Sequence, residues 1–281
     1  MDISIGLPTT VPGIDGPVLL DFARRADKAG FAGLGVVDRL VYDSYDSLVA
    51  LAAAAAVTER IRLTSTVLLA SYRGSAAVLA KQLATIDHLS GGRLVVGLAV
   101  GDRDDDFAAA GAEFRRRGRL LDSIVDSLGS VWSGEDIGPR PAGGRLPLLF
   151  GGHSDAALRR AARCGDGWIA GGSSGTAYRH LVERARQAWL DEGRIARPRI
   201  VSLAYFCFGA DGREKAAEYL RSYYAYIGTK AGHAVSGVIT SEDRLREVAG
   251  EYAAAGCDEL VLFPCKADPE QVDLVAKAVL P

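Results

Sequence analysis

Eight short apolar runs recur along the chain, and a helical pattern follows each of them. The runs span residues 3–7, 33–37, 62–69, 93–99, 146–150, 167–170, 199–208 and 259–263. Several, such as Leu94 through Val100, are apolar throughout instead of alternating. A parallel strand has that pattern when helices cover its sheet on both faces. Helical segments are predicted over residues 17–29, 47–57, 76–89, 116–132, 155–164, 176–191, 213–227, 242–255 and 269–279. Strand–helix alternation at roughly 35 residues per unit predicts a single eight-fold (β/α)8 TIM barrel with a parallel eight-stranded sheet, in preference to an open doubly wound sheet. The domain would occupy residues 1–281. One irregular connection, residues 133–145, is rich in Gly and Pro and is expected to be a loop that covers a pocket.

The charge balance narrows the classes of partner. With 33 Lys+Arg against 35 Asp+Glu, the net charge of −2 supplies no field to hold nucleic acid, so no nucleic-acid partner is expected. Cys164, Cys207, Cys257 and Cys265 are scattered without a CxxC pair, and Met1 to Ser4 show neither a basic nor an apolar signal region. A reduced, cytoplasmic protein is expected. The Ala-rich stretch 48–57 is about half the ~20 residues a membrane span requires, so a buried helix and no membrane association are expected.

In such a barrel the chemistry gathers where strands end. Gly151-Gly152-His153-Ser154 and Gly171-Gly172-Ser173-Ser174 each follow a strand and open a helix. Glycines there let backbone amides approach a phosphate, and the helix start adds unpaired N–H donors and a favourable dipole. The same residues also read as ordinary turns with Ser154 or Ser173 as helix caps. Gly171 to Gly175 further satisfies GxSxG, the pattern of a serine-hydrolase elbow, but only His180 and His233 follow it, the first on the helix the elbow would start. The acid-dense stretch Gly101 to Asp106 lacks the glycine and closing glutamate of a calcium loop and reads as a solvated loop beside the pocket. His88, His153, His180 and His233 form no close pair, so no metal is expected. Of the lysines only Lys266 lies just past a strand, weak support for Schiff-base chemistry. Tyr42, Tyr45, Tyr72, Tyr205, Tyr223, Tyr224 and Tyr226 are candidates either for an aromatic pocket or for packing.

Three stretches carry a family resemblance. Ala80-Lys81-Gln82-Leu83-Ala84-Thr85-Ile86-Asp87-His88-Leu89-Ser90-Gly91-Gly92-Arg93 runs into Gly97-Leu98-Ala99-Val100-Gly101. Pro147-Leu148-Leu149-Phe150-Gly151-Gly152 is followed by Ala161-Ala162-Arg163-Cys164-Gly165-Asp166-Gly167-Trp168, and Tyr252-Ala253-Ala254-Ala255-Gly256-Cys257-Asp258-Glu259-Leu260-Val261-Leu262 lies near the end. In this order and spacing, over nearly the whole chain, they resemble the luciferase-like superfamily of flavin-dependent monooxygenases and F420-dependent oxidoreductases.

The resemblance implies the barrel fold, a small organic substrate, FMN or F420 as cofactor, and a homodimer. With FMN it implies a monooxygenase served by a separate flavin reductase; with F420 it implies direct hydride transfer. It places the cofactor phosphate on Gly151, Gly152, His153, Ser154, Gly171, Gly172 and Ser173, and a bulge with a cis peptide at Thr66-Val67 beneath the flavin ring. Asp102 and Asp105 match positions near the cofactor. Asp38 and Arg39 fall at the catalytic position, where F420-dependent relatives frequently carry an acid and then a histidine. Arg39 in place of histidine puts the sugar-phosphate dehydrogenase mechanism in doubt. It is read either as a fixed charge near the reduced flavin or a substrate carboxylate, or as a surface ion pair with Asp38 or Asp43. A serine hydrolase and a noncatalytic flavin-binding relative remain as alternatives.

Overall fold

Because both faces of a barrel strand are covered, successive side chains alternate between two apolar layers. In the strand Arg199–Phe206, Val201, Leu203 and Tyr205 pack into the barrel interior with Leu149, Ile169, Val261 and Phe263, whereas Ile200, Ala204 and Phe206 join the layer that packs with the helices. This is why the run shows no polar alternation in sequence. The computed structural model describes residues 1–171 and 175–280.

Eight parallel strands close into a barrel in chain order: β1 (Asp2–Gly6), β2 (Gly33–Val36), β3 (Arg62–Leu68), β4 (Leu94–Leu98), β5 (Leu148–Gly151), β6 (Gly167–Ala170), β7 (Arg199–Phe206) and β8 (Glu259–Pro264). Closure is made by β1 on β8, in register from Asp2↔Glu259 to Ile5↔Leu262. The helices are α1 (Gly16–Ala29), α2 (Ser47–Val57), α3 (Ala76–Leu89), α4 (Asp104–Ala109), α5 (Arg117–Ser133), α6 (Asp155–Cys164), α7 (Gly175–Asp191), α8 (Gly212–Tyr223), α9 (Ala231–Ser236), α10 (Glu242–Ala254) and α11 (Glu270–Val279). Side chains of Asp15, Asp46, Ser75, Ser154 and Ser241 accept from first-turn amides and fix where five of these helices begin. At the amino-terminal floor, the buried Glu259 carboxylate accepts from Ser4 and from Arg199, at 2.7 Å, beside Arg62.

The predicted barrel is the observed one, with three local corrections. Residues 207 and 208 leave the β7 ladder, because the Cys207 amide donates to the Ile239 carbonyl and the Phe208 amide to Gln271 Oε1. The helix expected over 213–227 stops at Tyr223. A 3-10 segment, Ala225–Lys230, then interrupts the chain with non-helical backbone at Gly228 before α9. Residues 133–145 do not cover the mouth of the barrel. They connect a helix to the start of a strand and so lie at the amino-terminal face, where Lys81 Nζ donates to Gly138 O and the Ala142 amide to Asp87 Oδ2.

Candidate active site

The end of β3 sets the geometry of the mouth. Its register with β4 shifts between Ser65 and Leu68, and the Thr66–Val67 peptide is cis. A bulge leaves ladder groups unpaired, and side chains replace them here. Ser65 Oγ donates to Gly97 O at 2.9 Å and accepts from the Gly97 amide, while Thr66 Oγ1 donates to Val36 O at 3.0 Å. The bulge is thereby fastened to both neighbouring strands. Val67 is half-buried between buried Thr66 and Leu68 and packs against the interior apolar layer.

Asp38, just past β2, is the third fastening. Its Oδ1 accepts from Ser47 Oγ at 2.8 Å and from Arg73 Nη2 at 2.6 Å. Its Oδ2 accepts from the Leu69 amide at 2.9 Å, the Tyr72 hydroxyl at 3.2 Å and Arg73 Nε at 3.4 Å. Although burial opposes the Arg73 charge, Asp38 and Asp46 raise its pKa overall. Burial, with the nearby Asp38 charge, holds the Tyr72 hydroxyl neutral.

Arg39 is not the surface partner of Asp38 or Asp43 that one reading allowed. Its side chain is only 8% exposed and faces the other way, toward the loop after β4. Nη1 donates to the Tyr223 carbonyl at 3.0 Å, Nη2 lies 3.5 Å from Asp105 Oδ2, and the guanidinium sits 4.7 Å from the Tyr42 ring centre. Arg103 meets it from the β4 side. It is buried, donates from Nη2 to the same Tyr223 carbonyl at 3.1 Å, and lies 3.7 Å from the Tyr226 ring centre.

The stretch expected to be a solvated acidic loop is in part the helix α4. Asp106 is fully buried there, its Oδ1 accepting from the amides of Leu40 at 3.1 Å and Val41 at 2.7 Å. Asp102 is exposed and accepts from the Tyr226 hydroxyl at 2.9 Å. Asp105 stands beside Arg39.

Tyrosines wall this side of the mouth. Tyr205 and Tyr224 share a hydrogen bond at 2.9 Å, Tyr219 bonds Thr10 at 2.7 Å, and Tyr42 meets Tyr223 edge to face. Burial raises the hydroxyl pKa values of Tyr205, Tyr219, Tyr223 and Tyr224, so they serve as neutral walls. Tyr72 packs elsewhere, on Phe107, and Tyr45 reaches the Ile14 carbonyl. Sequence reasoning missed Arg103 and Tyr219. The usable signals were the position of Arg103 just past a strand and the four-residue spacing of Tyr219 and Tyr223 on one helix face.

Across the mouth, the β5–α6 turn is built on two glycines that side chains would crowd. Gly152 has φ +119°, and a Cβ there would lie 2.8 Å from the Ala157 side chain. A Cβ on Gly151 would lie 3.1 Å from Val67 and 3.3 Å from Ala99. The Gly152 carbonyl accepts from Trp168 Nε1 at 2.8 Å, and Ser154 Oγ caps α6 by accepting from the Ala157 amide at 3.2 Å. His153 lies beside Gly171, and partial desolvation together with Arg184 lowers its pKa below the usual imidazole value. Gly172 and Ser173 fall outside the described residues, and with them the GxSxG serine. Among the described residues, no cluster of His, Cys, Asp and Glu is suited to hold a metal, and no helix is long and apolar enough to cross a membrane.

Comparison with known proteins gives concordant results. The family model for luciferase-like monooxygenases matches residues 6–272. An uncharacterised protein of Mycobacterium tuberculosis is 28% identical over 229 residues, 69% of this chain and 78% of the relative. The FMNH(2)-dependent dimethylsulfone monooxygenase of Pseudomonas putida is 24% identical over 270 residues, 86% of this chain and 72% of that protein. The structure of an F420-dependent secondary alcohol dehydrogenase in complex with an F420-acetone adduct shares the fold, with a TM-score of 0.83 at 16% identity over 99% of this chain and 98% of that one.

Proposed function

We propose, from the premise that the chain belongs to the luciferase-like monooxygenase family, that it is an oxidoreductase acting on a small organic substrate with noncovalently bound FMN or F420. Similar proteins of both cofactor types support that breadth. The observation that carries the reading is one continuous surface across three adjacent strand ends. Val67 in the bulge, Ala99 after β4 and Gly151 at the end of β5 are all half-buried, and a Cβ on Gly151 would sit against the other two.

The residues fit a flavin-type group at both ends of that surface. Gly151 and Gly152, with the first-turn amides of α6, would hold the phosphate. Asp155 in that turn would oppose an anion, but Arg184 binds it at 2.7 Å and offsets its charge. Val67 and Ala99 offer the apolar floor on which the ring would rest. When bound, the cofactor supplies the redox chemistry: hydride transfer with F420, or reduction of oxygen with FMN, which a separate reductase would have to keep reduced.

The chain's own contribution is placement and electrostatics. Ser65, Thr66 and Asp38 hold the bulge, which makes Asp38 a positioning residue in this reading. Arg39 places a fixed positive charge at the mouth. The tyrosine wall excludes water from the same side.

Titration of the purified protein with FMN, anaerobic reduced FMN and F420, followed by absorbance or fluorescence, tests the proposal. Preference for reduced FMN supports a monooxygenase, and preference for F420 supports a hydride-transfer enzyme. Binding of none of the three overturns the reading.

A further inference from the structure

Two guanidiniums rarely share one neutral acceptor inside a protein, because each buried charge demands a partner. Arg39 and Arg103 do so on the Tyr223 carbonyl. That carbonyl belongs to the last residue of α8, so it accounts for one N–H of each arginine as a helix-end contact. It does not account for the rest. Arg39 Nε and Arg103 Nη1 are buried without a hydrogen-bond partner.

The carboxylates nearby leave this demand largely unmet. Asp105 meets Arg39 Nη2 at 3.5 Å through Oδ2, gives Oδ1 to the Asp106 amide, and is itself 40% exposed. Asp102 accepts from the Tyr226 hydroxyl, and Asp106 lends Oδ1 to two backbone amides while its Oδ2 has no partner. These acids moderate the local charge, which favours one singly charged group over a polyanion. Tyr42, Tyr223 and Tyr226 pack on the guanidiniums, and the unpaired Arg39 Nε and Arg103 Nη1 are the planar N–H donors that a carboxylate would satisfy.

We propose that Arg39 and Arg103 form a carboxylate-binding site at the ends of β2 and β4, so that the substrate is an organic acid. This rests on the proposed redox function only in calling the ligand a substrate. The site lies on the two strands flanking the β3 bulge and is separate from the phosphate cradle at β5–α6. An acidic substrate held there would stand at the rim of the surface assigned to the cofactor ring.

The test uses the full chain without cofactor, titrated calorimetrically with benzoate, acetate and inorganic phosphate at constant ionic strength. Saturable benzoate or acetate binding is expected, weakened roughly tenfold or more in Arg39→Gln and Arg103→Gln, as the loss of a charge-assisted hydrogen bond implies. The exposed Arg197→Gln on the amino-terminal side serves as the unaffected control. Should Arg103→Gln not fold, Arg103→Lys keeps the charge and removes the planar fork. No saturable carboxylate binding, equal binding in wild type and the Arg39 and Arg103 variants, or preference for phosphate over both carboxylates would each overturn the proposal. Because binding is read without turnover, that outcome leaves the cofactor titration to decide the redox function on its own.

Discussion

Replacing Asp38 separates a residue that carries protons from one that holds the site together. Its side chain is 2% exposed, and it accepts five hydrogen bonds from Ser47, Leu69, Tyr72 and Arg73. Removing one member of a buried ion pair costs about 3–5 kcal/mol, because the other charge is left without a partner. Arg73 is 16% exposed and keeps a second carboxylate, Asp46, at 3.2 Å, which places Asp38→Ala toward the lower end of that range. For a chain of this length each kcal/mol lowers Tm by roughly 2 °C, so a fall of about 6–8 °C is expected by calorimetry. Asp38→Asn keeps the shape and one acceptor and should lose about half as much. A double-mutant cycle with Arg73→Met should return a coupling of about 1–3 kcal/mol. Both single variants should also weaken cofactor binding, since the Leu69 amide that Asp38 holds continues directly from the bulge. Asp38→Asn with wild-type Tm and wild-type cofactor affinity but no turnover would refute this reasoning and restore Asp38 as a catalytic acid.

Three further outcomes follow from the same geometry. Gly152→Val places a side chain at φ +119° and against Ala157, so cofactor affinity should fall at least about tenfold in a variant whose circular dichroism is unchanged; unaltered affinity in the folded variant removes the phosphate assignment. Trp168→Phe deletes the 2.8 Å bond to the Gly152 carbonyl and should cost about 0.5–1.5 kcal/mol in urea unfolding; a variant as stable as wild type would show that the bond does not hold the turn. Burial works against ionisation of Asp166, but Arg145 and the Leu148 amide outweigh it and hold the carboxyl below its ordinary value of 3.8. Its stabilisation is therefore complete above that value and lost as pH falls through the lower folded-state value. Asp166→Asn should flatten the loss of stability below about pH 4, and a variant with the wild-type acid limb would contradict this.

The barrel was legible in sequence because a closed parallel sheet leaves few choices. Every strand must be apolar on both faces, and each needs a helix to return it, so the two periodicities alternate along the whole chain. What failed was local and depended on distant partners. The segment after Tyr223 has the composition of a continuing helix, yet two arginines from other loops hold its terminal carbonyl and Gly228 breaks the backbone. Residues 133–145 have the composition of a lid, but the direction of the connection, helix to strand, assigns them to the opposite face of the barrel. That direction could have been read from the element order alone.

The site was legible to a smaller degree, and its charges show why. Sequence places Asp38 and Arg39 side by side after one strand, which invites pairing them. In the structure they serve opposite walls: Asp38 turns toward α2 and the end of β3, and Arg39 toward α4 and the end of α8. Adjacent residues leaving a strand point to opposite sides, so neighbours in sequence are poor candidates for one another's partners there. The acidic run after β4 divides in the same way, by helical geometry, because successive residues of α4 lie about 100° apart around its axis. Asp105 and Asp106 are consecutive, yet one stands beside Arg39 and the other is buried on the amides of Leu40 and Val41. Charge at this mouth is set by which residues the loops bring together from three strand ends, and Arg103, arriving from the far side of β3, is the member that no local pattern around Arg39 announces.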